Sequence, residues 1–368
     1  MVETHPVDRR KLTEKSPVER ALFIVNRSSA TGHNKAVVEH LYSTLNDLLG
    51  QGAETQMQVV DEHVQARAQA EAFLAASDAP ALVISGGGGG TLRAVIEGLC
   101  KGSRPDNLPP PERVRIATLR MGSGNIVAKQ FGVPRDPETA LRGIIANLQQ
   151  DRTAPCCIMR CEVGRKDSPA AICFATAMAG FGQFGRSPGD LVRWHHRLPA
   201  LRQVMARILG IEKLNTLEYS LSFAIRLFRS ALLPDTCEVV EVRFGQRIES
   251  IRLLSGIVMN FPVKQLPFEP AVWIEDAALS FHAVPYPGRW QTLLAPFFMK
   301  NLSKGAVQVR IEGPDELEIR LKSQDAAEFF LDEDPAVFYQ TVKVKVAGTL
   351  AFVPGPDYEW LPERRDYP

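Results

Sequence analysis

An unbroken run of glycines ending in a threonine carries the first chemistry in this sequence. Within Ala81 to Cys100, ALVISGGGGGTLRAVIEGLC, Ser85 leads into five glycines and Thr91. Five glycines cost backbone entropy that a plain turn does not require, and without Cβ atoms their amides can close on a ligand. Ala81, Leu82, Val83 and Ile84 ahead of them read as a strand, and Leu92, Val95, Ile96 and Leu99 behind them share one face of a helix. A helix starting here aims its unsatisfied N–H groups and positive dipole end at the turn. Gly87, Gly88, Gly90 and Thr91 are therefore candidate phosphate ligands. Two familiar phosphate loops do not fit, because Thr91, Leu92 and Arg93 stand where a dinucleotide fingerprint needs its third glycine, and the Gly-Lys of a Walker loop is absent.

A second stretch repeats the pattern. Val114 to Leu119 reads as a strand, followed by Arg120-Met121-Gly122-Ser123-Gly124-Asn125 and a short apolar turn of helix, Ile126 to Lys129. In a parallel sheet both turns lie at the carboxyl ends of neighbouring strands, where open α/β sheets bind ligands. Gly122, Ser123 and Asn125 then join the candidate ligands. Arg93 and Arg120 add guanidinium forks that match phosphate oxygens.

GGGGT (Gly87 to Thr91) followed by MGSGNIVAKQFGVP (Met121 to Pro134) resembles the paired G-G-D-G-T and G-T-G-N-D-F-A motifs of the diacylglycerol kinase catalytic-domain family, lipid kinases distantly related to NAD kinases. Further segments follow in the same order: Asn26-Arg27-Ser28-Ser29 through Gly32 is similar to N-P-x-x-G, Ala179 to Gly182 to A-G-F-D, Glu275 to Leu279 to D-D-G-x-L, and Leu331 to Pro335 to D-G-E-P. The likeness runs from about Ala21 to Pro354. It implies a nucleotide-binding lobe and a β-rich substrate lobe with the cleft between them, ATP as phosphoryl donor, Asn26 beside the nucleotide, Asp332 as the base for the acceptor hydroxyl, and Asp276 and Asp334 as ligands of Mg²⁺. It also exposes departures. Gly89, Ile126 and Gly182 replace family aspartates, Asp334 replaces a glutamate, and Arg93 and Arg120 replace an asparagine and a proline. A site so altered is expected to depend less on Mg²⁺, with the two arginines offsetting phosphate charge.

The remaining chain agrees with an α/β class. Strands at Ala21 to Asn26 and Thr55 to Val60 alternate with helices whose inner faces carry Val37, Leu41, Leu45 and Leu48, then Phe73 and Leu74, and Asp136-Pro137-Glu138 starts another with Leu141, Ile144, Ile145 and Leu148 inward. Such alternation predicts a doubly wound parallel sheet over residues 21–150 after a polar tail, 1–20. Residues 151–349 read as an antiparallel β-rich sandwich with strands at Cys156 to Val163, Ala171 to Met178, Glu238 to Phe244, Ser250 to Phe261, Ala271 to Val284, Ala306 to Ile311, Glu316 to Leu321, Glu328 to Leu331 and Val337 to Val346. Residues 350–368 are expected to return to the first domain.

A helical insertion at 190–233 interrupts the strands. Trp194, Leu198, Leu201, Met205, Ile208 and Leu209 project to one side and Arg193, Arg197, Arg202 and Arg207 largely to the other, with Phe223, Leu227, Phe228, Arg226 and Arg229 following. A basic amphipathic pair can rest on an anionic membrane, as it can also cover a domain with a solvated face.

With 43 basic and 42 acidic residues, nothing global argues for nucleic acid. The opening segment lacks the apolar core of a signal peptide, and the six cysteines form no C-x-x-C pair, so a cytoplasmic protein with buried free thiols is expected, and the resemblance to lipid kinases implies that it is peripheral to the membrane. G-x-S-x-G and H-E-x-x-H are absent. The expectation is an ATP-dependent kinase of diacylglycerol or a related lipid. A catalytically inactive relative that binds nucleotide or phospholipid is the rival, and NAD kinase-like activity a weaker one. The expected partners are a lipid substrate at a membrane surface and a second copy of the chain.

Overall fold

A computed structural model describes residues 17–103, 108–122, 124–165, 168–197, 204–205, 208, 211–263, 272–294, 306–323, 325–332 and 334–360. Strands β1 (Arg20–Asn26), β2 (Glu54–Val60), β3 (Ala81–Gly87) and β4 (Val114–Arg120) run parallel in the order β2-β1-β3-β4. All residues of β1 and β3 are buried, as in strands covered on both faces. Helix α1 (Lys35–Leu49) packs with α5 (Pro137–Gln149), and α2 (His63–Ala75) packs with α3 (Gly89–Ser103). A short α4 (Ile126–Gln130) follows β4. Local chemistry starts these helices where the sequence signals them: the Asp136 carboxylate accepts from Thr139 N at 2.8 Å with Pro137 in the first turn of α5.

The antiparallel half is built from β5 (Ala154–Arg165), β6 (Ser168–Ala175), β7 (Met178–Phe181), β8 (Glu238–Phe244), β9 (Arg247–Met259), β10 (Ala278–Pro285), β11 (Val307–Glu312), β12 (Glu316–Leu321), β13 (Ala327–Leu331), β14 (Asp334–Tyr339) and β15 (Thr341–Phe352). These strands enclose a second core, in which the Phe181 and Phe329 rings stack at 5.4 Å and Tyr339 meets both edge-on. One strand serves both halves. β15 runs antiparallel along β5, and its last residues pair in parallel with β4, Ala351 with Arg115 and Phe352 with Ile116. Beyond it, Asn147 Nδ2 donates to Pro354 O at 3.0 Å, and Phe131 stacks on Phe352 at 4.8 Å and on Tyr358 at 5.9 Å.

Four boundaries differ from the sequence expectation, one of them the helical insertion expected from 190, which already starts at Gly182. The single strand expected over 337–346 is two, because the chain turns at Gln340, whose N–H donates to Gly164 O at 2.9 Å. The strand expected from Ala271 starts at Ala278, since Asp276 folds the chain back: its N–H donates to Trp273 O at 2.9 Å and its carboxylate accepts from Trp273 N at 3.0 Å. The strand expected over 171–178 breaks after Ala175, where the next amides turn to a buried carboxylate described below.

Between β7 and β8 stand α6 (Gly182–Arg197) and α7 (Ile211–Leu232), joined where Asp190 takes Arg226 through Oδ1–Nη2 at 2.8 Å and Oδ2–Nε at 2.5 Å. Arg226, expected on a free basic face, is thus held inside the hairpin. Leu227 is buried beside Leu254 and Val284, while neighbouring Phe228 is exposed. Leu198, Leu201, Arg202, Arg207 and Leu209 lie outside the described residues. Among the described residues no helix is long and apolar enough to cross a membrane.

Phe352 ties the shared strand to the first core. Its replacement by alanine is expected to cost about 3–5 kcal/mol, the usual range for truncating a buried ring. Equilibrium denaturation measures this, and a loss below about 1 kcal/mol would contradict the assigned role.

Candidate phosphate site

β1 has β2 on one side and β3 on the other, so the loops leaving β1 and β3 turn to opposite faces and open a crevice at the carboxyl end of the sheet. Asn26 closes β1 at the floor of this crevice. Its Nδ2 donates to Thr91 Oγ1 at 3.0 Å and its Oδ1 accepts from Ser28 N at 2.9 Å, tying the first loop to the start of α3. The loop folds over itself through Ser29 Oγ, which donates to Asn26 O at 2.7 Å, and reaches the third loop through Thr31 N, which donates to Met121 O at 3.3 Å.

The two glycine turns meet backbone to backbone. A Cβ on Gly122 would fall 2.3 Å from Gly88 Cα and 2.7 Å from Gly88 N, a distance no side chain tolerates. Gly87 is equally constrained, since a Cβ there would lie 2.4 Å from Thr91 Oγ1. Asn125 shapes the second turn in the left-handed region, φ 54°, with Nδ2 donating to Gly122 O at 2.6 Å and Oδ1 accepting from Gly122 N at 3.0 Å. It builds the cradle with both ends of its amide. Leu92 N returns the bond to Gly88 O at 3.1 Å, so the amides of Gly89, Gly90 and Thr91 are the leading donors of α3. Arg120 ends β4 as the ladder partner of Gly87. Ser123 lies outside the described residues.

Other expected residues are placed differently. Arg93 is buried and lies 3.6 Å from Glu97, one helical turn on, and Glu97 also pairs with Arg67. Its charge is balanced inside the α2–α3 layer rather than offered to the cradle, because the i,i+4 geometry of α3 brings the carboxylate to it. Asp332, expected as a base facing the cleft, is 3% exposed and turned inward. Its Oδ2 accepts from Thr176 N at 2.5 Å and Thr176 Oγ1 at 2.8 Å, and its Oδ1 from Ala177 N at 2.7 Å and Met178 N at 3.0 Å. Burial pushes this carboxyl above its usual range, and the four donors pull against that shift. Four donors occupy its acceptor sites, so it closes the β6–β7 turn instead of receiving a proton from a substrate.

The carbonyl of Asp332, in contrast, does reach the cradle. A Cβ on Gly89 would lie 3.1 Å from Asp332 O, so the glycine at this position lets the turn after β13 settle on the first turn of α3. Asp276 is committed to the turn at Trp273. Asp334 pairs with Leu331 through the backbone of β14, and its side chain lies outside the described residues. No group of three His, Cys, Asp or Glu side chains among the described residues could hold a metal ion. The described amides at the start of α3 fit a phosphate.

One residue at the cradle has no signal in the sequence. His63 opens α2, and a Cβ on Gly90 would fall 2.5 Å from its Cε1 and 3.0 Å from its Nε2, so the imidazole lies against the glycine backbone of α3. A histidine after a strand in an unrelated part of the chain could be found only from the packing of α2 on α3.

The contact between turns generates a direct test. Gly122→Ala pushes the two glycine segments apart and should weaken ATP binding at least about ten-fold, or roughly 1.4 kcal/mol, by calorimetric titration. Unchanged affinity would separate ligand binding from this cradle.

Residues 20–154 match the diacylglycerol kinase catalytic domain. A search of curated proteins finds no match. Among solved structures, a candidate diacylglycerol kinase from Bacillus anthracis str. Sterne aligns over 94% of this chain and 98% of its own with TM-score 0.63 at 14% identity. A diacylglycerol kinase from the same organism aligns over 92% and 98%, TM-score 0.57, at 13% identity. Yeast NADH kinase, solved with NADH, aligns over 95% of this chain and 87% of its own, TM-score 0.51, at 10% identity. Identities this low speak to fold alone. The segment 20–154, which contains all three loops of the crevice, is what matches the diacylglycerol kinase catalytic-domain family.

Proposed function

We propose that this chain is a phosphotransferase that holds the phosphates of ATP on the two glycine turns and passes the terminal phosphoryl group to a hydroxyl of diacylglycerol or a related lipid. The observation that carries the reading is the meeting of Gly88 and Gly122 beside the sheet's switch point, with the leading amides of α3 at the same crevice. Phosphoryl transfer proceeds through a loose transition state and asks chiefly for positioning and charge stabilisation. Backbone amides of Gly89, Gly90 and Thr91 hold the donor, and Arg120 at the end of β4 supplies positive charge beside Gly87. His63, laid against Gly90, takes the acceptor's proton in place of Asp332, whose carboxylate is engaged by Thr176, Ala177 and Met178.

A second reading has its own support. Glycine at 89 and the absence of an acidic metal cluster among the described residues favour a polyphosphate-binding protein that does not turn over. Labelled ATP offered with vesicles containing a panel of hydroxylated lipids distinguishes the two. Label is expected in lipid, with His63→Gln lowering turnover about a hundred-fold at little cost in ATP affinity. ATP binding without transfer would select the second reading, and failure to bind ATP would sink both. Chelation with EDTA is expected to lower ATP affinity less than about ten-fold, since the described site offers a cation no carboxylate cluster. A larger loss would mean that ligands for the cation come from elsewhere.

A further inference from the structure

Helix α7 is apolar on two opposite sides. Leu227 and Ala231 are buried on the inner side, with Phe223 packed beside Leu227 in the core against Leu254 and Val284. On the outer side Leu217, Leu221, Ile225, Phe228 and Leu232 are each about half exposed, from 48% to 58%. Their spacings of four, four, three and four residues keep them on one line at 3.6 residues per turn, over roughly 22 Å of helix. A surface helix ordinarily carries polar residues there. Helix α8 (Arg289–Leu294), packed on α7, adds Trp290 at 78% exposure and Leu294. An exposed apolar face of this extent marks a contact surface.

We propose that this outer face of α7, with Trp290, seats the protein on a lipid bilayer beside its acceptor. The inference rests on the lipid-kinase reading for its purpose but not for its test. Three observations favour a bilayer over a protein partner. First, the hairpin is rooted next to the site: α6 follows β7 directly, and the other end of that four-residue strand abuts Asp332, whose carbonyl touches the cradle. Second, the charge around the stripe suits anionic headgroups. Arg229 on α7 and Arg289 on α8 are exposed, whereas Asp190 and Glu218, the acids of the hairpin whose side chains are described, are engaged by Arg226, Arg193 and His195; Asp235, just beyond the helix, is an exposed acid at that end. Third, the line is made of aliphatic and aromatic side chains, suited to the boundary between headgroups and acyl chains, with an indole at its margin.

Co-sedimentation of the full chain with vesicles of phosphatidylcholine alone and with added phosphatidylglycerol tests the assignment. Binding is expected to both and to be stronger to the anionic vesicles. The paired substitution Leu221→Asp and Phe228→Asp should lower the bound fraction at limiting lipid at least about five-fold. A melting temperature equal to that of the wild type shows that the variant folds, as substitution of exposed positions allows. Arg229→Gln should reduce only the preference for anionic vesicles. Unchanged sedimentation of the folded paired variant would overturn the proposal. So would a wild-type dimer that the same substitutions convert to monomer, with vesicle binding absent throughout, because the face then belongs to a second copy of the chain. Vesicle binding that persists in a protein without ATP-dependent transfer would leave this surface standing and remove the kinase reading instead.

Discussion

Two backbone segments in van der Waals contact set the limits for the rest of the molecule. Gly88 and Gly122 approach so closely that a single methyl group on Gly122 has nowhere to go. That contact requires β3 and β4 to be neighbours in register, which they are from Ala81 opposite Val114 to Gly87 opposite Arg120. It requires the second turn to be rigid, which Asn125 achieves by bonding both ends of its amide to Gly122. It also requires Asn26 to hold Thr91 from the far side of the crevice. A polyanion at this point meets amides whose positions are fixed before it arrives, so little ordering entropy is lost on binding.

The same reasoning joins the two halves. Asp332 places its carboxylate under the amides of residues 176 to 178 and its carbonyl on the first turn of α3. An unsatisfied buried carboxylate would be costly, and here each oxygen accepts two bonds, so the turn between β6 and β7 and the turn after β13 are locked as one unit. Strand β15 provides the second junction by pairing with β5, β12 and β4. The halves share a sheet. A side chain at position 89 would stand between them, and its absence changes the chemistry and the packing together.

Much of the fold was readable from pattern. The period-3.6 faces of α1, α3 and α5 and the short apolar runs of β1 and β3 are strong signals, because a parallel sheet covered on both faces leaves its central strands few polar positions. The cradle glycines were readable for a related reason: only residues without side chains allow such approach, and the sequence must therefore spell them out. Strand ends were less legible. The break between β14 and β15 at Gln340 and the turn held by Asp276 depend on partners far away in the chain, and no local composition records them.

The sequence by itself determined which residues lack side chains, where the helices α1 and α5 of the parallel half begin, and that two glycine turns follow two apolar strands. Tertiary structure alone decided which polar groups face the crevice. It turned the Asp332 carboxylate inward, gave Arg93 to Glu97, laid His63 on Gly90, and left the apolar line of α7 outside. The physical reason is that backbone conformation and burial periodicity are local properties, carried by each residue and its near neighbours. The direction and charge balance of a side chain depend on what the folded chain brings against it.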